Sequence, residues 1–336
     1  MRVTIRSVAK LAGVAPSTVS HYLNRTAPVS QATAENVKRA VNSLNYEVNL
    51  GARSLRLQKT HLIGLVMPNI STSFFSEMAA TIEDALWEEN YQTLLCISER
   101  DVEREALQCA NLARRQVDGI LLTYNSEESQ VLQFSEDLKL PVVFIDRPVP
   151  GKNSVATDNR LGGQLAARHL VELGHRTIGI LGGEGEIRNV KERIAGFKEE
   201  LKKWNIEIRE DYILHGLQTL QFGLRVTEFL DKVPRPTAIF ATNDTVAMGA
   251  WHALLAAGYR IPDDISLIGF DDIEVIRYLV PALTTVAQPT SEIGTQGVKL
   301  LLGLIDNKSR NSNSTPQEIV IPPTLKIRAS IAPLKN

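Results

Sequence analysis

The sequence lacks the residues and segments that define several protein classes. Only two of its 336 residues are cysteines. Cys96 and Cys109 show neither a metal-ligand spacing nor a disulfide framework, which predicts a reducing cytoplasm. No run approaches the roughly 18 apolar residues of a membrane span, and no apolar signal-peptide stretch follows Met1. Since we also find no metal-ligand cluster and no nucleophile–base motif, we expect no membrane contact, no metal, no cofactor and no enzymatic activity.

Basic charge is concentrated at one end of a chain whose net charge is −1. Residues 1–60 contain nine Lys and Arg against Glu35 and Glu47, so they carry +7 and the remainder carries −8. Phosphate neutralisation supplies most of the sequence-independent affinity for DNA, so this segment is expected to bind a polyanion. A solubilising basic arm is the alternative, but the segment is also patterned like a folded unit.

The same segment has the pattern of three short helices. Gly13 ends a first helix whose apolar positions are Ile5, Val8, Ala9 and Ala12. A second helix runs from about Ala15 to Asn24, with Pro16 where its missing N–H costs nothing. Ser30 is the predicted N-cap of a third helix, with Val37, Ala40, Val41 and Leu44 facing the core. This arrangement is typical of the helix-turn-helix that reads DNA.

The second helix is expected to enter the major groove with its N-terminus first. Pro16, Ser17 and His21 are then the candidate base readers, and Thr18 and Ser20 lie nearer the phosphates. The alternative is that these are ordinary exposed polar residues. The full set of residues expected at DNA is Thr4, Ser7, Pro16, Ser17, Thr18, Ser20, His21, Asn24, Arg53, Leu55 and Arg56.

The last three of these lie in residues 49–56, a segment too short to form a stable helix alone. If it becomes helical on DNA, Leu55 would insert between minor-groove base steps, with Arg53 and Arg56 near phosphates. A flexible basic linker is the alternative, and composition alone favours it.

From residue 62 onward, short apolar strands alternate with amphipathic helices. This pattern predicts two doubly wound α/β lobes with a cleft between them. The expected strands are 62–67, 92–97, 119–123 and 142–145 in the first series, and 177–181, 212–215, 238–241 and 266–270 in the second. Helices are expected between them, including one at residues 223–230, and a helix at 291–304 is expected to return to the first lobe.

In open α/β sheets a ligand lies beyond the carboxyl ends of the strands. The residues found there combine aromatic faces with carboxylates, guanidinium groups and amides, which suit a sugar ring and its hydroxyls. They include Phe74, Phe75, Asp146, Arg147, Asn243, Asp244, Asp271 and Asp272, with Arg193 on the helix after Gly182-Gly183 and Gln288 at a crossover between the lobes.

Several of these residues also have a simpler interpretation. One of the two phenylalanines is expected to belong to the core, and Asp271 with Asp272 would cap a helix. Asp244 is the expected N-cap of its own helix, and Asp146 with Arg147 would be a surface pair of little energy. The glycine-rich residues 181–185 lack the spacing of a nucleotide-binding motif and are interpreted as a loop.

Several segments resemble the lac repressor (LacI/GalR) family of transcriptional regulators over essentially the whole chain. They are Thr4 to Val14, Ser17 to Asn24, Asn45-Tyr46, Ala52 to Leu55 and Ile63 to Val66. The resemblance implies a dimer that reads a roughly palindromic operator, with Leu55 as the minor-groove lever, which reverses the linker interpretation. Ser7 departs from the family, where an acidic residue is common.

The body also resembles periplasmic sugar-binding proteins, particularly pentose binders. The resemblance implies that eight residues contact the sugar: Phe74, Phe75, Asp146, Arg147, Arg193, Asn243, Asp271 and Gln288. Thr72-Ser73 stands where those proteins often have Asn-Pro. The implied architecture is a small all-α helix-turn-helix domain at 1–48, a hinge helix at 49–60 and a periplasmic-binding-protein-like α/β domain at 61–336. Its first lobe spans about 61–158 plus 290–318, and its second about 159–289 plus 319–330.

These inferences predict a cytoplasmic bacterial repressor, nucleoid-associated when bound to DNA, whose operator affinity is controlled by a pentose or hexose. A purine base or phosphosugar corepressor is the alternative effector. An enzyme on a sugar leaves the DNA-binding unit unexplained, and a secreted solute-binding protein lacks its signal peptide. The C-terminus has no leucine heptad of the kind that joins dimers into tetramers, so a homodimer is expected.

The lever assignment predicts the effect of Leu55→Ala. This substitution should weaken specific operator binding, because the wedge between base steps is lost, while the body remains folded and ligand-competent. Gel-shift titration with operator DNA measures the first effect, and ligand binding by the same variant controls for the second. Operator affinity equal to that of the unaltered chain would remove Leu55 from the assignment.

Overall fold

The computed structural model describes residues 3–24, 27–46, 59–124, 129–135, 138, 140–183, 187–309 and 315–334. The chain divides into two compact units, Met1–Thr60 and His61–Asn336, which are described separately below. The proposed hinge residues Arg53, Leu55 and Arg56 lie outside the described residues, so the hinge helix stays a prediction.

The N-terminal unit contains the three predicted helices. They are α1 (Ile5–Ala12), α2 (Pro16–Asn24) and α3 (Gln31–Ser43). Gly13 ends α1 with a φ of 67°, a left-handed conformation that glycine adopts without a Cβ penalty. All three helices contribute to one small core, whose buried residues are Val8, Ala9, Val19, Val37 and Ala40.

Hydroxyl groups determine where two of these helices begin. Ser30 is the N-cap of α3, as predicted, and its Oγ accepts the backbone N–H of Thr33 at 3.4 Å. At α1 the backbone N–H of Thr4 donates to Ser7 Oγ at 3.3 Å. Ser7 therefore performs a capping role that is open to Glu or Gln at this position of a helix, so its departure from the family pattern leaves the start of α1 intact.

In the second unit strands and helices alternate. The first series is β1 (Leu62–Met67), α4 (Ser73–Glu88), β2 (Gln92–Ile97), α5 (Val102–Arg114), β3 (Gly119–Leu122), α6 (Gln130–Phe134), β4 (Val142–Asp146) and β5 (Ser154–Thr157). The second series is α7 (Asn159–Glu172), β6 (Ile178–Leu181), α8 (Arg188–Lys203), β7 (Ile213–Leu214), α9 (Leu220–Gly223), β8 (Ala238–Ala241), α10 (Asp244–Ala256), β9 (Ser266–Asp271) and β10 (Thr284–Ala287). The chain then forms α11 (Thr290–Ser309), β11 (Glu318–Ile321) and β12 (Thr324–Lys326), and 3-10 helices cover Glu210–Tyr212, Leu224–Phe229 and Glu274–Tyr278.

These strands form two six-stranded sheets, one in each lobe, which confirms the predicted fold class. The first sheet has the order β11-β5-β4-β3-β1-β2, with every neighbouring pair parallel. The second has the order β12-β10-β9-β8-β6-β7 and is parallel except for the pairing of β12 with β10. α11 returns to the first lobe, where it packs against α4 and β4.

Three features differ from the expected pattern. Residues 319–321 belong to the first lobe, because β11 is hydrogen-bonded along β5. Strands β5 and β10 lie outside the expected set, since their buried serine and threonines interrupt the apolar pattern. The helix expected at 223–230 is instead the single turn α9 followed by a 3-10 helix. There, Gly223 lies so close to α10 that a Cβ would overlap the carbonyl oxygen of Val246.

The chain passes between the lobes three times, at residues 157–159, 287–290 and 321–324. The first and third crossings are joined directly, because the backbone N–H of Asp158 donates to Ile321 O at 2.9 Å. Beside the first crossing, α7 and α8 pack backbone to backbone. A Cβ on Gly163 would overlap the carbonyl oxygen of Arg193, and a Cβ on Gly196 would overlap that of Arg160.

This close packing predicts opposite effects for two Gly→Ala substitutions in helices. Gly163→Ala should lower the free energy of unfolding by about 1–3 kcal/mol, because a backbone carbonyl cannot rotate away from the added methyl group. A Cβ added at Gly303 in α11 would meet open space. Gly303→Ala should therefore raise the free energy of unfolding by about 0.5–1 kcal/mol through helix propensity. Urea unfolding measures both. A Gly163→Ala protein as stable as the unaltered chain would contradict the proposed packing constraint.

Candidate functional site

A cleft lies at the carboxyl ends of the strands of both sheets, as expected for this architecture. It includes about 520 Å³ of space, counting its open mouth. All eight residues predicted from the sequence line it: Phe74, Phe75, Asp146, Arg147, Arg193, Asn243, Asp271 and Gln288. The lining also contains residues that the sequence reasoning missed: Thr72, Arg100, Ile187, Asn189, Gln218 and Thr245. The structure therefore brings the predicted set together, and ligand binding by its members stays a prediction.

The two phenylalanines at the start of α4 supply the aromatic surface of the cleft. Phe74 is 8% exposed and belongs to the first-lobe core, while Phe75 is only partly buried. Their rings lie 5.2 Å apart in an edge-to-face arrangement, which is favourable for aromatic pairs. Phe75 therefore has the more accessible ring, and Phe74 supports it from below.

The Asp146–Arg147 pair is buried, so the surface-pair interpretation is wrong. Arg147 Nε lies 3.7 Å from Asp146 Oδ2, and Asn189 Nδ2 donates to Asp146 Oδ1 at 3.2 Å. Burial raises the pKa of Asp146, and the charges of Arg147 and Arg193 oppose that rise. Asp146 also has a φ of 72°, a left-handed conformation that is uncommon for a residue with a side chain. It turns the chain directly after β4.

Asn189, in the lining of the cleft, has a buried side-chain oxygen without a hydrogen-bond partner among the described residues. Its Nδ2 donates to both the carboxylate and the backbone carbonyl of Asp146, each at 3.2 Å. Because both of these partners only accept, the amide has one orientation. Its Oδ1 is then buried without a protein partner in the described part of the chain. The sequence offered a signal for this residue, since it precedes Arg193 by one helical turn on α8.

Arg193 is a buried guanidinium held on several sides. Its Nε donates to Asn159 Oδ1 at 2.7 Å, and its Nη1 donates to Thr242 O at 2.6 Å and to Asp271 Oδ1 at 3.3 Å. The guanidinium carbon lies 3.7 Å from the ring centroid of Phe270, close enough for a cation–π interaction. These contacts fix the side chain, so it presents a preorganised donor to the cleft.

Asp271 and Gln288 complete the floor of the cleft. Gln288 Nε2 donates to Asp271 Oδ1 at 2.7 Å, and Gln288 Oε1 accepts from Thr157 Oγ1 at 2.7 Å. Burial raises the pKa of Asp271 to about 6, although Arg193 and Gln288 favour the ionised form. The neighbouring Asp272 bonds to Arg328 and to Arg277 and is not part of the lining.

The N-cap of α10 is Asn243, so the expectation that Asp244 caps its own helix is wrong. Asn243 Oδ1 accepts the backbone N–H of Val246 at 2.7 Å. Asp244 is fully buried beneath it and accepts from Thr285 Oγ1 at 2.7 Å and from the Ile273 N–H at 3.1 Å. Burial and the nearby Asp271 raise the pKa of Asp244 well above its usual value. The cap uses the oxygen of Asn243, which leaves its amide N–H groups as donors.

The predicted DNA-binding residues of the N-terminal unit lie on and beside α2. Pro16, Ser17 and His21 are exposed, and Thr18 and Ser20 are partly exposed. On α1, Thr4 is exposed and Ser7 is half-buried, and Asn24 is the last residue of α2. Val19 on the opposite face of α2 is buried in the core. The face expected to contact DNA is therefore the accessible one.

The described residues lack the features of two other classes of protein. They contain no helix long and apolar enough to cross a membrane. They also contain no group of three or more His, Cys, Asp or Glu placed to hold a metal ion.

Two family models match the chain. Residues 4–49 match the model described as bacterial regulatory proteins, lacI family. Residues 167–331 match a periplasmic binding protein-like domain. The two matches fall on the helix-turn-helix unit and on the body that contains the cleft.

Several curated proteins are similar to this chain over nearly its full length. It is 34% identical to the HTH-type transcriptional regulator DegA of Bacillus subtilis, with 100% of both chains covered. It is 35% identical to the HTH-type transcriptional repressor PurR of Mannheimia succiniciproducens, with 98% of each chain covered. It is also 35% identical to the ribose operon repressor of Haemophilus influenzae, with 99% of each covered.

Solved structures show the same architecture. The lac repressor dimer bound to operator and the anti-inducer ONPF has a TM-score of 0.88 and 27% identity, and the match covers 99% of this chain and 100% of that one. A LacI family transcriptional regulator from Enterococcus faecium with bound ribose has a TM-score of 0.71 and 34% identity. That match covers 82% of this chain and 100% of the other.

The raised pKa of Asp271 predicts that its charge destabilises the unliganded protein. The carboxyl has a usual pKa of 3.8 and a pKa of about 6 when folded. Stability should therefore fall as pH rises through this window and be lowest above it. Asp271→Asn keeps an acceptor for Arg193 and Gln288 and removes this titration, so the fall in the free energy of unfolding from pH 4 to pH 7.5 should be about 2 kcal/mol smaller than in the unaltered chain.

Urea unfolding at the two pH values measures this difference. Asp264→Asn is the matched control, because the pKa of the partly exposed Asp264 is lowered to about 2 by its hydrogen bond from Arg260. Removal of that charge should leave stability unchanged or slightly lower at both pH values. If Asp271→Asn behaves like this control, the inference that ionised Asp271 destabilises the unliganded protein is disproved.

Proposed function

We propose that this chain, which belongs to the lacI family of bacterial regulatory proteins, has its operator affinity controlled by a small sugar bound in the cleft. The chain is a DNA-binding transcriptional repressor with a ligand-binding body, and not an enzyme. What we propose beyond this is the class of the effector, a pentose or hexose, and the residues that hold it.

The observation that carries the proposal is the combination of hydrogen-bond acceptors and donors in the lining of the cleft. Asp146, Asp271 and the unpartnered Oδ1 of Asn189 accept hydrogen bonds. Arg193 and the amide of Asn243 donate beside them. A sugar hydroxyl both donates and accepts, so a polyol satisfies such a wall, and an apolar face of its ring would lie on Phe75.

Two of the similar proteins support this class of ligand. One is named as a ribose operon repressor, and a solved structure of another contains ribose. A purine base or a phosphosugar is the alternative effector. The aromatic rings of the described lining lie on one side only, at Phe74 and Phe75, and Ile187 and Gln218 line it elsewhere. A base stacked between two aromatic rings therefore has no second ring among these residues, which favours the sugar.

Binding would control DNA through the two lobes. Closure of the cleft around the effector would change the orientation of the first lobes of a homodimer, which would decide whether the hinge segments at 49–60 pair on a roughly palindromic operator. Such a device has two sites and two global states, as an allosteric switch requires. The lac repressor structure, solved as a dimer on operator, supports the homodimer. We place the protein in the bacterial cytoplasm, where its free Cys96 and Cys109 stay reduced.

A thermal-shift panel tests the effector class. The panel contains D-ribose, D-xylose, D-glucose, D-galactose, ribose 5-phosphate, adenine, guanine and hypoxanthine. A ligand at about 100 times its Kd should raise the melting temperature by about 5–10 °C. We expect a free pentose or hexose to do so. A rise with a base or phosphosugar and none with the free sugars would reject the sugar.

The same panel tests the role of Arg193. Arg193→Ala should abolish the thermal shift and the change in operator affinity produced by the active sugar, because the preorganised donor is lost. Its operator affinity without ligand should not fall. Arg209→Ala is the matched control, since Arg209 is exposed and pairs with Asp211 outside the cleft lining. A full response in Arg193→Ala would exclude Arg193 from the site.

A further inference from the structure

Five side chains behind the cleft form a closed cycle of hydrogen bonds, here called the crossover cycle. Thr157 Oγ1 donates to Gln288 Oε1 at 2.7 Å, and Gln288 Nε2 donates to Asp271 Oδ1 at 2.7 Å. Arg193 donates to Asp271 Oδ1 at 3.3 Å and to Asn159 Oδ1 at 2.7 Å. Asn159 Nδ2 then donates to the carbonyl oxygen of Thr157 at 3.1 Å, which closes the cycle.

The direction of every bond in this cycle is determined by its two ions. Asp271 only accepts, so Gln288 must present its amide nitrogen there and its oxygen to Thr157. Arg193 only donates, so Asn159 must present its oxygen there and its nitrogen to the Thr157 carbonyl. Reversal of the Asn159 amide would break both of its bonds, and reversal of the Gln288 amide would break its bond to Asp271 and place two oxygens together. All five side chains are 10% exposed or less, so water does not replace a broken bond easily.

The cycle joins the cleft to the crossings between the lobes. Arg193, Asp271 and Gln288 line the cleft, whereas Thr157 and Asn159 do not. Thr157 is the last residue of β5 in the first sheet, and Asn159 is the first residue of α7 in the second lobe. Gln288 lies in the second crossing, between β10 and α11. A rotation of one lobe on the other therefore changes dihedral angles within the cycle itself.

We infer that Thr157 and Asn159 are positioning residues, which couple a ligand on Arg193 and Asp271 to the angle between the lobes. The inference rests on the proposed function, because it assigns the regulation of the same cleft. A ligand that bonds to Arg193 and Asp271 changes the strength of their bonds to Asn159 and Gln288. Through these bonds it favours one geometry of the two crossings over another, which is the differential interaction that a conformational change requires.

The competing explanation is that Thr157 only stabilises its own strand. The two explanations differ in the effect that loss of the Thr157 hydroxyl has on segments away from residue 157. If the cycle acts as a unit, removal of the Thr157 hydroxyl loosens α8, which carries Arg193 and which the Thr157 hydroxyl does not touch. If Thr157 acts locally, only the chain around residue 157 is affected.

Hydrogen exchange of the unliganded full chain separates these explanations. Thr157→Val keeps the shape of the side chain and removes the donor, and Thr157→Ser restores it. We expect about fivefold faster exchange in a peptide covering residues 188–196 for Thr157→Val, corresponding to one buried hydrogen bond. Thr157→Ser should stay within about twofold of the unaltered chain. Faster exchange confined to the peptide containing residue 157 would overturn the inference.

Two further variants make the experiment decisive. Thr237→Val is the matched control, because it also removes a threonine hydroxyl. That hydroxyl lies outside the cycle, 2.9 Å from His175 Nδ1. Exchange in the peptide covering residues 188–196 should not change in this variant. Asn159→Asp opens the cycle elsewhere, because it keeps the acceptor for Arg193 but places an oxygen against the Thr157 carbonyl. It should accelerate exchange at residues 284–290, and it decides the question alone if Thr157→Val does not fold.

A functional measurement uses D-ribose and a DNA fragment selected from a random-sequence pool by the unaltered chain. The effect of saturating D-ribose on DNA affinity should fall at least fivefold in Thr157→Val and recover in Thr157→Ser. If saturating D-ribose changes the DNA affinity of Thr157→Val as much as that of the unaltered chain, and only the half-saturating sugar concentration rises, the proposed coupling through Thr157 is contradicted. If the unaltered chain does not respond to D-ribose, the choice of this sugar fails, and the exchange experiment still decides the role of the cycle.

Discussion

The cleft depends on one buried ion, the guanidinium of Arg193. A charge taken out of water must be compensated by opposite charge and hydrogen bonds, or it destabilises the fold. Here Asp271, the carbonyl oxygen of Thr242 and Asn159 accept its N–H groups, and Phe270 covers one face. These partners come from the ends of two neighbouring strands and from the start of α7. The requirement to compensate one charge therefore explains why several distant segments meet at one place.

The position of Arg193 depends in turn on backbone packing. α8 reaches the cleft only because α7 approaches it within a distance that excludes a Cβ at Gly163 and Gly196. Any residue larger than glycine at these positions would push α8 outward, together with Asn189 and Arg193. The apolar core of the second lobe, with the stacked rings of Phe197 and Phe240, holds the opposite face of the same helix. Packing therefore determines the chemistry of the site.

Much of the architecture could be predicted from the sequence, because local signals determine it. Gly13 and Ser30 mark helix boundaries, and apolar runs mark the buried parallel strands. Strands β5 and β10 could not be predicted, since their polar residues are buried. Ser154 accepts from the N–H of Val149 in the preceding turn, and Thr284 and Thr285 bond to Arg328 and Asp244, which are far away in sequence. A polar residue in a short strand resembles a turn until those partners are known.

The candidate site shows the same division. Topology assigns the residues after the strands to the cleft, and the resemblance to pentose binders selects the eight residues that the structure places in its lining. Burial could not be assigned this way, so the Asp146–Arg147 pair was expected at the surface and Asp244 at a helix cap. Both errors concern carboxylates, whose surroundings come from segments far apart in sequence. The unpartnered oxygen of Asn189 is likewise visible only when the two acceptors beside its nitrogen are known.

The late position of α11 and β11 in the chain has a consequence for synthesis on the ribosome. The N-terminal unit has its core residues within residues 3–46 and is translated before the body. The first lobe is complete only after α11 and its edge strand β11 have been synthesised, and both follow β6 to β10 of the second lobe in the chain. During elongation the nascent chain thus carries a finished helix-turn-helix and an incomplete regulatory body. A transcript that ends early, before residue 290, would encode the same combination permanently, a helix-turn-helix without a complete first lobe.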